Sequence, residues 1–157
     1  MTQNTLANIT YKKSTVVDLD ILMKIRLEML KEVNNLLADY VFDDDFVTES
    51  QKYFENASQT TILAFDGEHV VGCATLSYIY VMPTFDHPSG KRAHLMNVYT
   101  KQTYRRRGIS KAMINLLISE AKEKGVTEIS LDTTQMGRAL YEALGFKAST
   151  EAMVMAL

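Results

Sequence analysis

The sequence predicts a mixed α/β fold in a single domain, residues 1–157: a mixed central β-sheet with helices on both faces, in the order β-α-α-β-β-β-α-β-α-β. Three observations carry this. Two apolar runs are joined by Asp66-Gly67, a strong hairpin signal because a type I′ turn needs positive φ at both central residues. Ile109, Ala112, Met113, Leu116, Leu117 and Ala121 recur at helical spacing, and Ile114 and Ile118 widen the stripe into a largely buried helix. A strand-helix-strand unit follows the hairpin-linked strands, which makes the sheet mixed.

The elements follow in order. Ile9 to Lys13 reads as a first strand, and Ser14 or Thr15 as the cap of the helix after it. Leu19, Leu22, Met23, Ile25, Met29, Leu30 and Val33 keep helical spacing. A second helix starts after Asp43-Asp44-Asp45, where acidic groups face the positive end of the helix dipole. Thr60–Phe65 and Val70–Tyr80 form the hairpin, a loop runs from Met82 to Arg92, and Ala93–Thr100 is the fourth strand. Lys122, Lys124 and Gly125 stop the buried helix. Glu128–Asp132 is a fifth strand, Gly137–Leu144 a short helix ended by Gly145, and Phe146–Leu157 a last strand or two.

Composition excludes several classes. Hydrophobic residues make up 46% and charged residues 23%, with 7 Gly and 2 Pro, so linkers and disordered tracts are not expected. The net charge of −2 speaks against a general nucleic-acid binder. The one cysteine, Cys73, lies in an apolar run, cannot form an internal disulfide, and suits a reducing compartment. Met1 to Thr10 lacks the pattern of a signal peptide, and no apolar run approaches the ~18 residues of a membrane span. A cytoplasmic location without membrane partners is the expectation.

The chemically informative stretch runs from Asn97 to Lys111. Five of the 17 basic residues fall between positions 101 and 111, where the buried helix begins. The first N–H groups of a helix lack internal partners, its dipole end is positive, and Gly108 lets a ligand approach the backbone. This composes a pyrophosphate site, although a basic run is also the ordinary makeup of a solvated surface. Neither the P-loop nor the Gly-x-Gly-x-x-Gly pattern is present. RNA binding through Arg105, Arg106 and Arg107 lacks an aromatic platform beyond Tyr104.

Arg105-Arg106-Arg107-Gly108-Ile109-Ser110 resembles the Arg/Gln-x-x-Gly-x-Gly/Ala signature of the GNAT N-acetyltransferases. Arg138-Ala139-Leu140-Tyr141-Glu142-Ala143-Leu144-Gly145-Phe146 is similar to that family's Leu-Tyr-Glu-x-Leu-Gly-Phe element. Thr134 to Arg138 resembles the Ala-Thr-x-x-Gly-Arg segment of a bacterial branch, and Asn97 to Thr100 the strand that pairs with the pantetheine arm. Two departures are Ser110, where the signature has Gly or Ala, and Lys101-Gln102, where many members have a proline.

The resemblance implies a GNAT fold, acetyl-CoA as co-substrate and an amine as acceptor; no metal is expected, because His69 and His87 show no metal-ligand spacing with each other or with Cys73. It assigns the cofactor to Val98, Tyr99, Thr100, Arg105, Arg106, Arg107, Gly108, Ile109, Ser110, Lys111, Gly137 and Arg138. It implies direct attack of the amine on the thioester, with the backbone N–H of Val98 or a neighbour polarising the carbonyl and Tyr141 protonating or stabilising the thiolate. An alkylamine with pKa about 10.4 is almost fully protonated at pH 7 and must lose a proton. Many members use a Glu on the fourth strand for this; here Asn97 can only hold water or substrate, leaving His94, Glu28, Glu32 and Asp132 as candidates. For the acceptor, the first two helices and the loop before the fourth strand offer Glu28, Met29, Tyr80 and Phe85. The acidic residues there, Asp43 to Asp45 among them, suit a cationic acceptor or a solvated helix start. A non-catalytic acyl-CoA-binding module is the alternative reading, and homodimerisation is common in the family.

Overall fold

Pairing of the apolar runs produces one five-stranded sheet. The computed structural model describes residues 8–157, so most of the segment read above as lacking a signal peptide lies outside the described residues. The strands are β1 (Ile9–Lys13), β2 (Gln59–Asp66), β3 (His69–Tyr80), β4 (Lys91–Thr100) and β5 (Glu128–Leu131), adjacent in that order. The first four are antiparallel, and β5 runs parallel to β4. The helices are α1 (Leu19–Val33), α2 (Asp44–Asn56), α3 (Ile109–Glu123) and α4 (Arg138–Ala143). None among the described residues is long and apolar enough to cross a membrane.

Strand alternation sorts the core into two layers. Ala74 and Leu76 of β3 pack with Met113, Ile114 and Leu117 of α3, while Cys73 packs on the other face with Leu22 and Ile25 of α1 and Phe54 of α2. The expected mixed sheet with helices on both faces is therefore present. Asp43 caps α2, accepting the Asp45 N–H at 2.9 Å.

Two expectations change. The β2–β3 turn centres on Gly67-Glu68, because Asp66 pairs with His69. Gly67 (φ 59°) has positive φ and Glu68 does not, which fits type II′ rather than I′. No strand forms after α4: Phe146 packs on Tyr141, but Met153, Val154, Met155 and Leu157 are all exposed. An apolar segment becomes a strand only where a neighbour covers one face, and this one has none among the described residues.

The sheet is irregular where it matters most. In β4, Met96 pairs with Thr75 and Tyr99 with Cys73, so Asn97 and Val98 both lie opposite Ala74. This bulge inverts the alternation: Leu95 belongs to the α3 layer, and Tyr99 to the α1–α2 layer. In addition, β5 pairs only with Arg92–Leu95, so Met96–Thr100 have no strand partner on that side.

Leu117 is 0% exposed and its neighbour Leu116 is 46% exposed. Urea denaturation is expected to show Leu117→Ala costing about 2–5 kcal/mol and Leu116→Ala about 0.5 kcal/mol or less.

The Glu120 carboxylate, on α3, is 17% exposed and accepts from Lys124 Nζ at 2.7 Å, Thr60 Oγ1 at 2.9 Å and Lys13 Nζ at 3.1 Å. Burial pushes its pKa up, but these hydrogen bonds outweigh burial and bring it to about 2, from an ordinary 4.5. The folded-state pKa is depressed, so the stabilisation is complete above pH 4.5 and fades as pH falls towards 2. The stability gap between wild type and Glu120→Gln is expected to be wide at neutral pH and to narrow below pH 4; an unchanged gap contradicts this.

Candidate active site

Asn97 holds the bulge. Its backbone is left-handed (φ 56°), a conformation asparagine tolerates better than most residues. Its side-chain oxygen accepts from Arg26 Nη1 at 3.1 Å, and its amide nitrogen donates to Thr75 Oγ1 at 3.3 Å. Thr75 continues through a buried hydroxyl pair to Thr61 at 2.7 Å. The Cys73 thiol donates to the Asn97 carbonyl at 3.2 Å. Burial pushes that thiol up to about 12, so Cys73 is a core residue and not a nucleophile.

Past the bulge, β4 enters the loop to α3. Arg106 (φ 61°) and Gly108 (φ 77°) are left-handed, and α3 begins at Ile109. The backbone N–H groups of Gly108, Ile109, Ser110 and Lys111 donate to no acceptor among the described residues. Successive free N–H groups at the positive end of a helix form an anion cradle. Nothing lies within 4 Å of where a Cβ on Gly108 would stand, so glycine is needed there for its φ and not for room. The hydroxyl of Ser110 meets Thr100 Oγ1 at 2.8 Å, pinning the start of α3 to the end of β4.

The basic run divides into separate environments. Arg105 donates from Nε to the Thr100 carbonyl at 2.8 Å, pairs with Glu32 of α1, and lies 5.8 Å from the Tyr99 ring centroid. The Tyr99 hydroxyl donates to Glu32 at 2.7 Å, and Lys101 pairs with Glu28 at 3.3 Å. Burial, then the Glu32 hydrogen bond and charge, push the Tyr99 phenol far up. Burial would raise Glu32, but the hydrogen bonds from Tyr99 and Arg105 win and lower it. Arg107 lies 5.3 Å from the Tyr104 ring, whose hydroxyl donates to Asp66 at 2.8 Å. Arg106 and Lys111 are exposed and without an ion pair among the described residues.

Tyr141 stands on the α3 side, packed against the layer that also receives Val98 and Leu131. Phe146 meets its ring edge-on at 5.9 Å. Burial pushes its phenol up, and the hydroxyl has no hydrogen-bond partner among the described residues. A Cβ on Gly137 would come within 2.9 Å of Thr133 Oγ1 and 3.3 Å of the Tyr141 ring, so a larger residue there would push one of these side chains aside. Arg138 pairs along α4 with Glu142 at 2.8 Å.

On the other face, Arg26, Phe46, Glu49, Tyr53, Met96 and Asn97 line a pocket of about 230 Å³. The four residues expected to bind the acceptor do not line it. Glu28 is held by Lys101, Met29 is 8% exposed within the core, and Tyr80 (76%) and Phe85 (100%) stand on or beyond the end of β3. Arg26 and Tyr53 escaped sequence reading because their helical spacing only marks them as neighbours of an apolar stripe. Among the other base candidates, His94 contacts Ser130 Oγ at 2.8 Å and Asp132 at 3.7 Å. No cluster of three or more metal-ligating side chains occurs among the described residues.

A family model for the acetyltransferase (GNAT) family matches residues 27–146. N-acetyltransferase family 8 member 2 of Rattus norvegicus is 27% identical over 138 residues, 85% of this chain and 58% of that protein. Glucosamine 6-phosphate N-acetyltransferase of Trypanosoma brucei brucei is 31% identical over 84 residues, 54% of this chain and 55% of that one. The chain thus spans little more than half the length of these curated relatives. Among solved structures, a predicted acetyltransferase with acetyl-CoA from Clostridium acetobutylicum superposes with TM-score 0.82 at 24% identity, over 94% of this chain and 96% of that one. A GCN5-related N-acetyltransferase from Ralstonia eutropha JMP134 gives 0.78 at 24% identity, over 95% and 99%. These structures share the fold.

The bulge makes Asn97 sensitive to backbone and side chain separately. By urea denaturation, Asn97→Ala is expected to cost about 1–3 kcal/mol, from left-handed strain and lost hydrogen bonds, and Asn97→Gly less than Asn97→Ala.

Proposed function

The chain belongs to the acetyltransferase (GNAT) family, and from that premise we propose that it transfers the acetyl group of acetyl-CoA to a primary amine by direct attack, with no covalent enzyme intermediate. The observation that carries this reading is the unpaired edge of β4, which leads into the free N–H groups at the start of α3. An extended pantetheine arm matches the edge, and a pyrophosphate matches the cradle.

The residues divide the work. The backbone of Val98, Tyr99 and Thr100 receives the arm, and a backbone N–H at Val98 polarises the thioester carbonyl. The N–H groups of Gly108 to Lys111 hold the phosphates, Arg106 and Arg107 add positive charge, and Arg105 shapes the loop through Thr100 and Glu32. Gly137 and Arg138 set the start of α4, which brings Tyr141 close. The amine nitrogen bonds to the acetyl carbon as the carbon–sulfur bond breaks. The Tyr141 phenol, kept protonated by burial, gives its proton to the departing thiolate. The amine's proton leaves towards Glu49, which lines the pocket, through water. The names of the relatives, all N-acetyltransferases, support an amine acceptor.

Calorimetry is expected to show acetyl-CoA binding in the micromolar range, with Tyr141→Phe lowering kcat by about 100-fold or more while leaving that affinity in place. No binding at millimolar acetyl-CoA overturns the reading, and full turnover by Tyr141→Phe removes the phenol from the mechanism.

A further inference from the structure

Arg26 is a half-buried cation with no carboxylate partner among the described residues, its guanidinium 5.8 Å from the Phe46 ring centroid. It sits on α1 and lines the pocket between α1, α2 and β4. Its one hydrogen bond goes to the neutral side-chain oxygen of Asn97, at 3.1 Å. No carboxylate lies within ion-pair distance among the described residues, and burial pulls its pKa down. The two carboxylates that follow it on α1, Glu28 and Glu32, both hold other basic partners. Desolvating a guanidinium costs free energy that an amide oxygen offsets only in part. A planar fork with N–H groups to spare matches a carboxylate. Glu49, exposed and paired with Lys52 at 2.9 Å, lines the same cavity, and Phe46, Tyr53 and Met96 supply apolar walls.

We propose that the pocket takes an acceptor that is itself a zwitterion, an α-amino acid or a derivative keeping its α-carboxylate. The carboxylate pairs with Arg26, the amine lies towards Glu49, and an apolar side chain rests on Phe46, Tyr53 and Met96. The proposal rests on the acetyltransferase reading and names its acceptor class. A volume of about 230 Å³ suits a molecule of amino-acid size.

The test compares matched acceptors: leucine and phenylalanine against their carboxamides, with phosphoethanolamine and spermidine alongside, all with acetyl-CoA. The wild type is expected to favour each acid over its amide by about 10- to 100-fold in kcat/KM, the range of one charge-assisted hydrogen-bonded pair. Arg26→Gln is expected to bring this ratio near one, and Arg26→Lys to keep part of it. The ratio cancels any loss common to both acceptors, such as a disturbed Asn97. A wild-type preference for the amide, for phosphoethanolamine or for spermidine overturns the proposal, and so does a ratio that survives Arg26→Gln. If no amine is acetylated, the acetyltransferase reading falls first. Calorimetric titration of the same acid and amide pairs then decides separately: acid-selective binding that Arg26→Gln abolishes upholds the pocket assignment, and its absence overturns it.

Discussion

One constraint governs the site. β4 must stay paired with β3 to its end while it separates from β5 halfway along. A regular strand would do this with Leu95 and Tyr99 on the same face. The bulge at Asn97 and Val98 instead turns Tyr99 towards α1 and leaves Thr100 beside α3, where it meets Ser110. Both anchors of the loop between β4 and α3, on opposite faces of the sheet, depend on that single extra residue. The buried hydroxyls of Thr61 and Thr75 and the Cys73 thiol give the irregular backbone and the Asn97 side chain partners that a purely apolar core would lack.

What could be read from the sequence was what is local in it. The α3 stripe, the hairpin and the loop from Arg105 to Ser110 are each contiguous, and their periodicity or composition states the physics directly. The pocket around Arg26 is different, because Arg26 and Asn97 are 71 positions apart and meet only after α1 docks on the sheet. The missing last strand has the same origin in reverse. Residues 153–157 are apolar enough for a strand, but apolar character says nothing about whether a covering surface is present. The displaced hairpin turn is a smaller case, since a two-residue loop offers two adjacent registers and the ladder selects between them.

The basic cluster shows why counting charges overstates a phosphate site. Three consecutive arginines have three different surroundings: Arg105 is turned back onto α1, Arg107 onto Tyr104, and only Arg106 stands free. The positive character that remains is that of the backbone, whose amides from Gly108 to Lys111 meet no carboxylate among the described residues. Ser110 fits the same logic. In a position where the family signature has a smaller residue, its hydroxyl joins helix to strand and leaves the amide free.

Helix α1 carries Arg26 at the pocket between α1, α2 and β4 and, six residues on, Glu32 at the loop before α3. Those residues are about 9 Å apart along one rigid rod. A ligand at the pocket and a ligand at the loop would therefore act on a common body. Any linkage between them is symmetrical: by whatever factor an occupied loop alters the pocket's grip, an occupied pocket alters the loop's grip by the same factor.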